Sequence, residues 1–588
     1  MVFYHKFCTF VGEKKNTMAK LQFKNEPSNS PELFPENIFD KIPQDHPVRL
    51  VKKVVEGLNI SHILKHYKTG GCPAYHPRTM IKILFYSYLS NIYSCRKIAK
   101  ALNENIHFMY IAGNSTPDFR TINHFRGKIL KEHIKELFAE VVKLLVEEGY
   151  VSLDIQYIDG TKIESASNRY TFVWRGSVEK YKEKLELKIK GILQDIEASI
   201  QSDNQEINRE ELPKKIDSEV LKEKLALINK RLSEPTKKQE KEIQKLQNEH
   251  LPRLEKYEND LRVMGDRNSY SKTDIDATFM RMKDDHMQNG QLKPAYNTQI
   301  STENQFITHV SIHQTPADTT TLEEHLNSFE QQYQKHSKEV CADAGYGSEE
   351  NYEMLENKGV VAYVKYNYFH KEQKKKQKEN PFLPQNMFYN SKEDYYVCPM
   401  GQKMTNVGIG KRSSSNGYES EVAYYQAQRC EGCPLRALCH KSKGNRKIEV
   451  NYRLNELKSQ AKKLLNSERG HYHRSKRPIE VEAVFGQLKN NNKFNRFTFR
   501  GLEKVEMEFL LMALGHNFRK WSSRQANSTQ KTSKSAIFSS NFCSNVAFIN
   551  YILPNPDEIL KKIQIFKSYK NCSIKKRLPF SDSLFGVF

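Results

Sequence analysis

The chain has 588 residues, too many for one compact domain; at roughly 150 residues per domain, about three or four are expected. Lysine and arginine number 93 against 70 acids, a formal net charge of +23. Charged residues make up 28%, yet 11% of the chain is aromatic, which excludes a disordered polyampholyte. No run reaches the roughly 20 apolar residues that cross a bilayer; Phe509–Leu514 is the longest candidate. Lys6, Glu13, Lys14 and Lys15 leave no apolar core for a secretory signal. Ten scattered cysteines fit a reducing compartment, so a cytoplasmic protein without membrane contact is expected. The positive excess points to nucleic acid, or to an evenly basic enzyme surface.

Residues 1–45 read as a polar leader, Pro-containing at Asn25–Pro31, and the aperiodic first 17 residues make Met18 a candidate start. Residues 46–149 read as helical. Pro47 opens a helix carrying Val48, Leu50, Val51, Val54 and Val55, and Pro77 opens a second through Met80–Tyr86. Ser94 is placed to cap Arg96–Asn103. After the break at Gly113–Pro117, Asp118–Leu130 reads as a basic helix bearing Arg120, Thr121, Asn123, His124 and Arg126. Two short helices about a turn have helix-turn-helix character, which small helical bundles share.

Val151–Ile158 reads as a strand ending at Asp159-Gly160. From 177 to 262 the chain is Lys/Glu-rich and apolar every three or four residues, as in a helical hairpin or coiled coil. Leu292–Thr302 and Phe306–His313 form a predicted strand pair, followed by a helix near Thr320–His336. Glu339–Ala342 is a short strand ending at Asp343, Ser348–Asn357 a helix and Gly359–Tyr366 a strand. Residues 367–470 read as an irregular, basic, cysteine-containing insertion. Pro478–Asn491 and Leu502–Phe518 read as helices, and 522–588 as a linker and tail with one helix at Pro556–Phe566.

Three carboxylates stand out. Asp159 and Asp343 fall at predicted carboxyl ends of strands, where open α/β sheets place ligand sites, and a glycine follows each within two residues. Glu482 lies in a late helix with Lys489 seven positions on, so at about 100° per residue both share one face. Glu480 is rotated by about 200° from Glu482 and is the weaker candidate. Converging carboxylates repel unless a cation intervenes. A pair of Mg²⁺ ions would relieve that repulsion and clamp both oxygens of an in-line phosphoryl displacement. Strand-end aspartates also commonly just cap turns.

From Leu33 to Trp521 the chain carries an ordered series of blocks: His46-Pro47-Val48-Arg49-Leu50, Tyr75-His76-Pro77-Arg78, Tyr157–Glu164 and Tyr170-Thr171-Phe172-Val173-Trp174. Ser271–Asp274, Asp276–Met280, Asn289–Pro294, Ala342–Gly347 and Glu482–Lys489 follow. In these blocks it resembles the bacterial insertion-sequence DDE transposases, in the group with an InsH-like N-terminal domain and a long helical insertion. The resemblance implies an α/β, RNase-H-like catalytic core, a mixed five-stranded sheet with helices, at 150–176, 263–366 and 471–521. A helical DNA-binding domain at 46–149 would precede it, with a helical hairpin inserted at 177–262 and the cysteine-containing insertion at 367–470. It implies Asp159, Asp343 and Glu482 as ligands of two Mg²⁺ or Mn²⁺ ions, and Lys489 on DNA phosphate. It further implies double-stranded DNA as partner, both terminal inverted repeats and target, a homodimer or larger assembly, and a place at the nucleoid. The family signature Tyr-x2-Arg-x3-Glu-x6-Lys is kept only in its second half. Pro478 stands four before Glu482, Arg477 is displaced by one position and Tyr472 is out of register.

Arg477, Trp174 and Arg175, with Arg120 and Arg126, are further candidates for DNA contact; the tryptophan suits base stacking or a buried core equally. Cys398, Cys430, Cys433 and Cys439, one pair spaced Cys-x2-Cys, suit either a structural zinc site or free thiols. An inactive DNA-binding regulator and a structure-specific nuclease are the alternative functions.

Overall fold

The computed structural model describes residues 37–67, 73–203, 215–231, 236–282, 290–414 and 416–552. Most of the predicted leader, the candidate start Met18 and the predicted helix Pro556–Phe566 lie outside them. In the N-terminal unit, Met1–Pro43, a short 3-10 turn forms at Ile38–Lys41.

Seven helices follow: α1 (Pro47–Gly57), α2 (Ser61–Leu64), α3 (Pro77–Leu89), α4 (Cys95–Glu104), α5 (Ile106–Ala112), α6 (Phe119–His124) and α7 (Lys131–Glu147). Two begin by the same device. His46 and His76 each stand at the N-cap and accept the backbone N–H two residues on through Nδ1, with proline at the first helical position. Asp118 caps α6 by accepting from Thr121 N at 2.7 Å. The predicted cap Ser94 occupies its position without a side-chain bond. A π-helical turn at Phe125–Leu130 joins α6 to α7, so the predicted short basic helix is the start of a longer rod.

The central sheet is mixed and has six strands. β1 (Ile155–Glu164) lies between β5 (Leu292–Glu303), antiparallel, and β7 (Glu339–Ala342), parallel; β8 (Val361–Val364) continues the parallel side. The far edge of β5 is shared by β4 (Thr278–Arg281) and β6 (Phe306–His313). The sequence gives five strands because β4 has only four residues, too few to show a period. β1 also starts later and runs further than predicted. Leu153 sits at φ +63°, which breaks the strand, and Glu303 holds this loop by accepting from Ser152 N and Leu153 N. Beyond Asp159 the strand continues because β5 is long enough to pair through Glu164.

Between β1 and β4 a ribbon of β2 (Phe172–Trp174) and β3 (Ser269–Ser271) forms the base of the first insertion. Above it stand α8 (Arg175–Asp203), α9 (Ser218–Arg231), α10 (Lys237–Lys245) and α11 (Leu251–Met264), the last two continuous through a π-helical turn. The apolar stripes meet in a core of Leu185, Ile189, Leu193, Leu221, Leu225, Leu246 and Leu254, leaving the Lys/Glu faces to water. The segment is thus three rods, one for each Lys/Glu-rich periodic run of the sequence.

α12 (Leu322–Tyr333) packs on β6, and α13 (Glu349–Asn357) on β8 at the parallel edge of the sheet. The cysteine-containing segment is not irregular. It holds an antiparallel five-stranded sheet of β9 (Phe388–Asn390), β10 (Tyr395–Val397), β11 (Lys403–Ser413), β12 (Glu419–Ala427) and β13 (Lys447–Val450). Two of these strands have three residues, and β11 is exposed along most of its length, so no alternating pattern marks them.

The helix beginning at Leu502 runs to Ile552, through the stretch read as a linker. Its first half packs on β6 and α3. Glu508 is fully buried and accepts from Thr498 N and Phe499 N. Burial pushes its pKa up, and Arg126 in the same buried cluster works against that rise. Arg519 donates to the carbonyls of Tyr88 and Leu89 at the end of α3. At Gly515 the two helices nearly touch: a Cβ there would lie 2.8 Å from the Tyr88 backbone. Because backbone cannot move aside as a side chain can, Gly515→Ala should lower stability by about 2 kcal/mol. Urea denaturation of the two proteins side by side measures the loss.

Candidate active site

Register brings two of the candidate acids level. β1 and β7 are parallel with Tyr157 opposite Cys341, so Asp159 and Asp343 each lie two residues further along neighbouring chains. Asp343 follows the end of β7 and caps a 3-10 turn at Ala344–Tyr346. Asp159, predicted at a strand end, is instead inside β1, opposite Ile300 of β5. Gly160 accordingly serves close approach rather than a turn: a Cβ there would fall 2.2 Å from Gln299 Nε2.

The third acid arrives on the helical stretch Glu468–Asn491, which packs against β1 and β5. Its helix is not regular. Pro478–Glu482 and Gln487–Asn491 are π-helical turns on either side of Ala483–Gly486, so the simple seven-residue phasing does not apply. Glu482 nevertheless faces the sheet site. Glu480 turns away, is buried, and accepts from Gln305 N at 2.5 Å; burial raises its pKa. Lys489 reaches the carbonyl of Lys162 in β1 at 3.2 Å.

The acids are joined by Arg477. Its Nη2 lies 3.3 Å from Asp159 Oδ2 and its Nη1 3.0 Å from Glu482 Oε1. The guanidinium is buried, with 6% of the side chain exposed, and its Nε has no hydrogen-bond partner. Asp343 carries a second cation, Lys365 Nζ at 3.6 Å from Oδ1. Burial opposes ionisation of Asp343, but Arg477, the Ala344 N–H and Lys365 outweigh it and hold the carboxyl below its ordinary pKa. The three acids are not within direct mutual reach; a cation separates them. Among the described residues, the metal-ligating side chains whose atoms lie within 4.8 Å of one another do not include this trio.

A fourth acid, Asp318, belongs to the same polar patch. It accepts from Asn297 Nδ2 at 2.8 Å and Gln299 Nε2 at 3.0 Å, and its carboxylate borders both Gly160 and Gly345. Burial, followed by the charges of Asp318 and Asp159, drives the Tyr346 phenol well above its ordinary pKa, and its O–H donates to Gln299. Asp318 precedes α12 in an ordinary polar turn, so nothing local in the sequence distinguishes it.

The other candidates divide. Arg120 is exposed, and with Arg96, Phe119, Asn123 and Lys128 it lines an open groove of about 650 Å³. Arg126, expected on the DNA face, is buried instead: it donates to Tyr88 Oη and Tyr93 O and stacks over Phe499, 4.5 Å to the ring centre. Its helix turns that face inward toward the Leu502 helix. Trp174 packs against Phe172 and Phe279, and Arg175 donates to the carbonyls of Arg267 and Gly265, closing the base of the helical insertion. Neither side chain is held free for a base.

Cys398, Cys430, Cys433 and Cys439 line one cavity of about 20 Å³, with His440 and Arg446. They do not form a tetrahedral thiolate set. Among the described residues no three of them fall within the 4.8 Å mutual spacing. Arg446 also donates to Cys439 Sγ at 2.8 Å, placing positive charge where zinc would sit. The expectation of zinc here is not supported.

Two family models match the chain. Residues 36–128 match "Transposase domain (DUF772)", and residues 397–522 match "Transposase DDE domain". Both matches are to transposase domains, and together they support an insertion-sequence DDE transposase. No curated protein matches it. DDE transposases as a group are metal-dependent polynucleotidyl transferases acting on DNA, and both Glu482 and Arg477 fall inside the matched DDE segment. No helix among the described residues of the transposase is long and apolar enough to cross a membrane.

Removing one partner from a buried ion pair leaves the other charge uncompensated. Arg477→Met should therefore destabilise the metal-free transposase by about 3 kcal/mol. Part of that loss should return on adding Mg²⁺, which wild type needs less. Unfolding by urea with and without Mg²⁺ tests both expectations.

Proposed function

We propose that this transposase binds the terminal inverted repeats of an insertion sequence, cleaves a phosphodiester at each end and joins the freed 3′-OH to target DNA. Asp159, Asp343 and Glu482 are its catalytic acids, on an RNase-H-like core made of 150–176, 263–366 and 471–521. The reading is carried by one observation: acids from three separate elements face a single buried guanidinium.

That arrangement also fits the metal. Three carboxylates are hard oxygen donors suited to Mg²⁺ or Mn²⁺, and the space between two of them already holds positive charge. Asp159, Asp343 and Glu482 would hold two ions, which when bound polarise the scissile phosphate and stabilise charge on the attacking and leaving oxygens. The rest of the chemistry belongs to the chain. In cleavage, water attacks phosphorus, the P–O3′ bond breaks and the 3′ oxygen leaves with a proton as the terminal hydroxyl. In joining, that hydroxyl attacks a target phosphodiester, whose own 3′ oxygen departs. Lys365, 3.6 Å from Asp343, and Lys489, which reaches the Lys162 carbonyl in β1, are the proposed contacts to backbone phosphate. The groove carrying Arg96, Arg120 and Lys128, within the helical segment 46–149, is the proposed surface for the inverted repeat. Two transposon ends in one reaction call for at least two copies of the chain.

Asp159→Asn, Asp343→Asn and Glu482→Gln should each reduce cleavage and joining by at least about a hundredfold, as expected when charge stabilisation of a transition state is removed. Binding to inverted-repeat DNA should persist in all three. Incubating each protein with labelled end DNA and Mg²⁺ gives both readouts. Cleavage without joined product in wild type would make the protein a nuclease, and binding alone a regulator. Normal turnover by any of the three variants would refute the assignment of the acids.

A further inference from the structure

Far from these acids in sequence, α2 and α7 bring together a second set of metal-ligating side chains. His62 lies on α2 and His66 just beyond it; Glu132, His133 and Glu136 lie on the first turns of α7, with His133 and Glu136 three apart on one face. His62 Nε2 is 3.3 Å from Glu136 Oε2, and His133 Nδ1 is 3.9 Å from the same oxygen. These three ligand atoms all lie within 4.8 Å of one another. With metal–ligand bonds of roughly 2.0–2.2 Å, tetrahedral zinc separates its ligand atoms by about 3.3 Å. The observed spacings therefore need only a small side-chain adjustment.

Two features mark this cluster. His62 Nε2 is buried and makes no well-aligned hydrogen bond, and Glu136 Oε2 lies beside it at 3.3 Å. His133 Nε2 and His66 Nε2 meet at 2.7 Å, so one ring must present a proton to the other's lone pair. When His133 donates that Nε2–H, its Nδ1 carries the lone pair, on the side facing Glu136. A ligating histidine whose second nitrogen donates to a fixed partner is a recurring outer-shell arrangement, because it sets the tautomer and the ring orientation.

We propose that His62, His133 and Glu136 bind a zinc-class divalent ion that pins α2 to α7, with His66 orienting His133 through its second nitrogen. Two imidazoles and one carboxylate select zinc over magnesium, and three protein ligands leave a fourth position for water. The ion ties a four-residue helix, too short to be stable alone, to the 17-residue α7. The existing tie between these segments, from Asn59 N to Glu140 at 3.0 Å, lies on the same side.

Chelator-treated full-length protein, kept in excess Mg²⁺ so that the carboxylate trio does not report, is titrated with Zn²⁺. Wild type and a Cys430→Ser/Cys433→Ser variant should bind zinc alike. His133→Gln and Glu136→Gln should each weaken binding by at least about tenfold. Cobalt substitution should give a spectrum of nitrogen and oxygen ligation with no sulfur charge-transfer band. Glu136 is largely exposed, so its variant should keep wild-type helix content by circular dichroism even if the His133 variant does not fold. Wild-type zinc affinity in a folded Glu136→Gln protein overturns the proposal. So does loss of binding confined to the cysteine variant.

Discussion

A buried arginine between carboxylates is the constraint on which the centre of this molecule turns. Asp159 and Glu482 belong to a central strand and a distant helix, and like charges brought to the same guanidinium would otherwise drive them apart. Arg477 makes their convergence tolerable by placing a permanent cation between them, with Lys365 doing the same for Asp343. The fold around them is arranged to keep that geometry. Parallel pairing levels the two aspartates, Gly160 lets Gln299 lie close over the strand, and Asp318 is locked by two amides beside it. Replacing a guanidinium by metal ions in such a place changes the identity of the counter-charge rather than the need for one.

Much of the catalytic core is legible in the sequence, and the exceptions have physical causes. Strands rich in β-branched residues announce themselves, as do helices opened by His-Pro. The central sheet lies where expected, and Asp343 does follow a short strand. Asp159 lies inside its strand rather than at the predicted end because strand length depends on the partner: β5 carries the pairing past it, and no local residue encodes that. The meander of 388–450 was invisible because most of β11 faces solvent on both sides, so polar residues occupy both faces. The π-helical turns around Glu482 likewise carry no residue signature that a regular helix lacks.

Side-chain roles were less legible than positions. Arg126 and Arg120 sit six residues apart on a basic stretch, and nothing in composition separates them. Arg126 is buried at the floor of the groove under Phe499 and near Glu508, while Arg120 stands exposed on its wall. Arg175 reads as a DNA contact until the carbonyls of Gly265 and Arg267 are seen to need a donor. Which cation faces outward is decided by long-range packing. The cysteines teach the same lesson: their spacing suggests zinc, while the Arg446 guanidinium, just before β13, donates to Cys439. The three histidines of the N-terminal helices show the reverse case, with residues unremarkable in sequence meeting in space.

The near-contact at Gly515, with Arg519 anchored on the last carbonyls of α3, fastens α3 to the Leu502 helix, which also packs on β6. A molecule welded in this way behaves as a caliper. Any duplex gripped by the groove near Arg120 would meet the acids at one fixed offset along its axis. The number of base pairs separating recognised sequence from broken bond would then be a property of helix packing, set when the protein folds rather than when it finds its substrate.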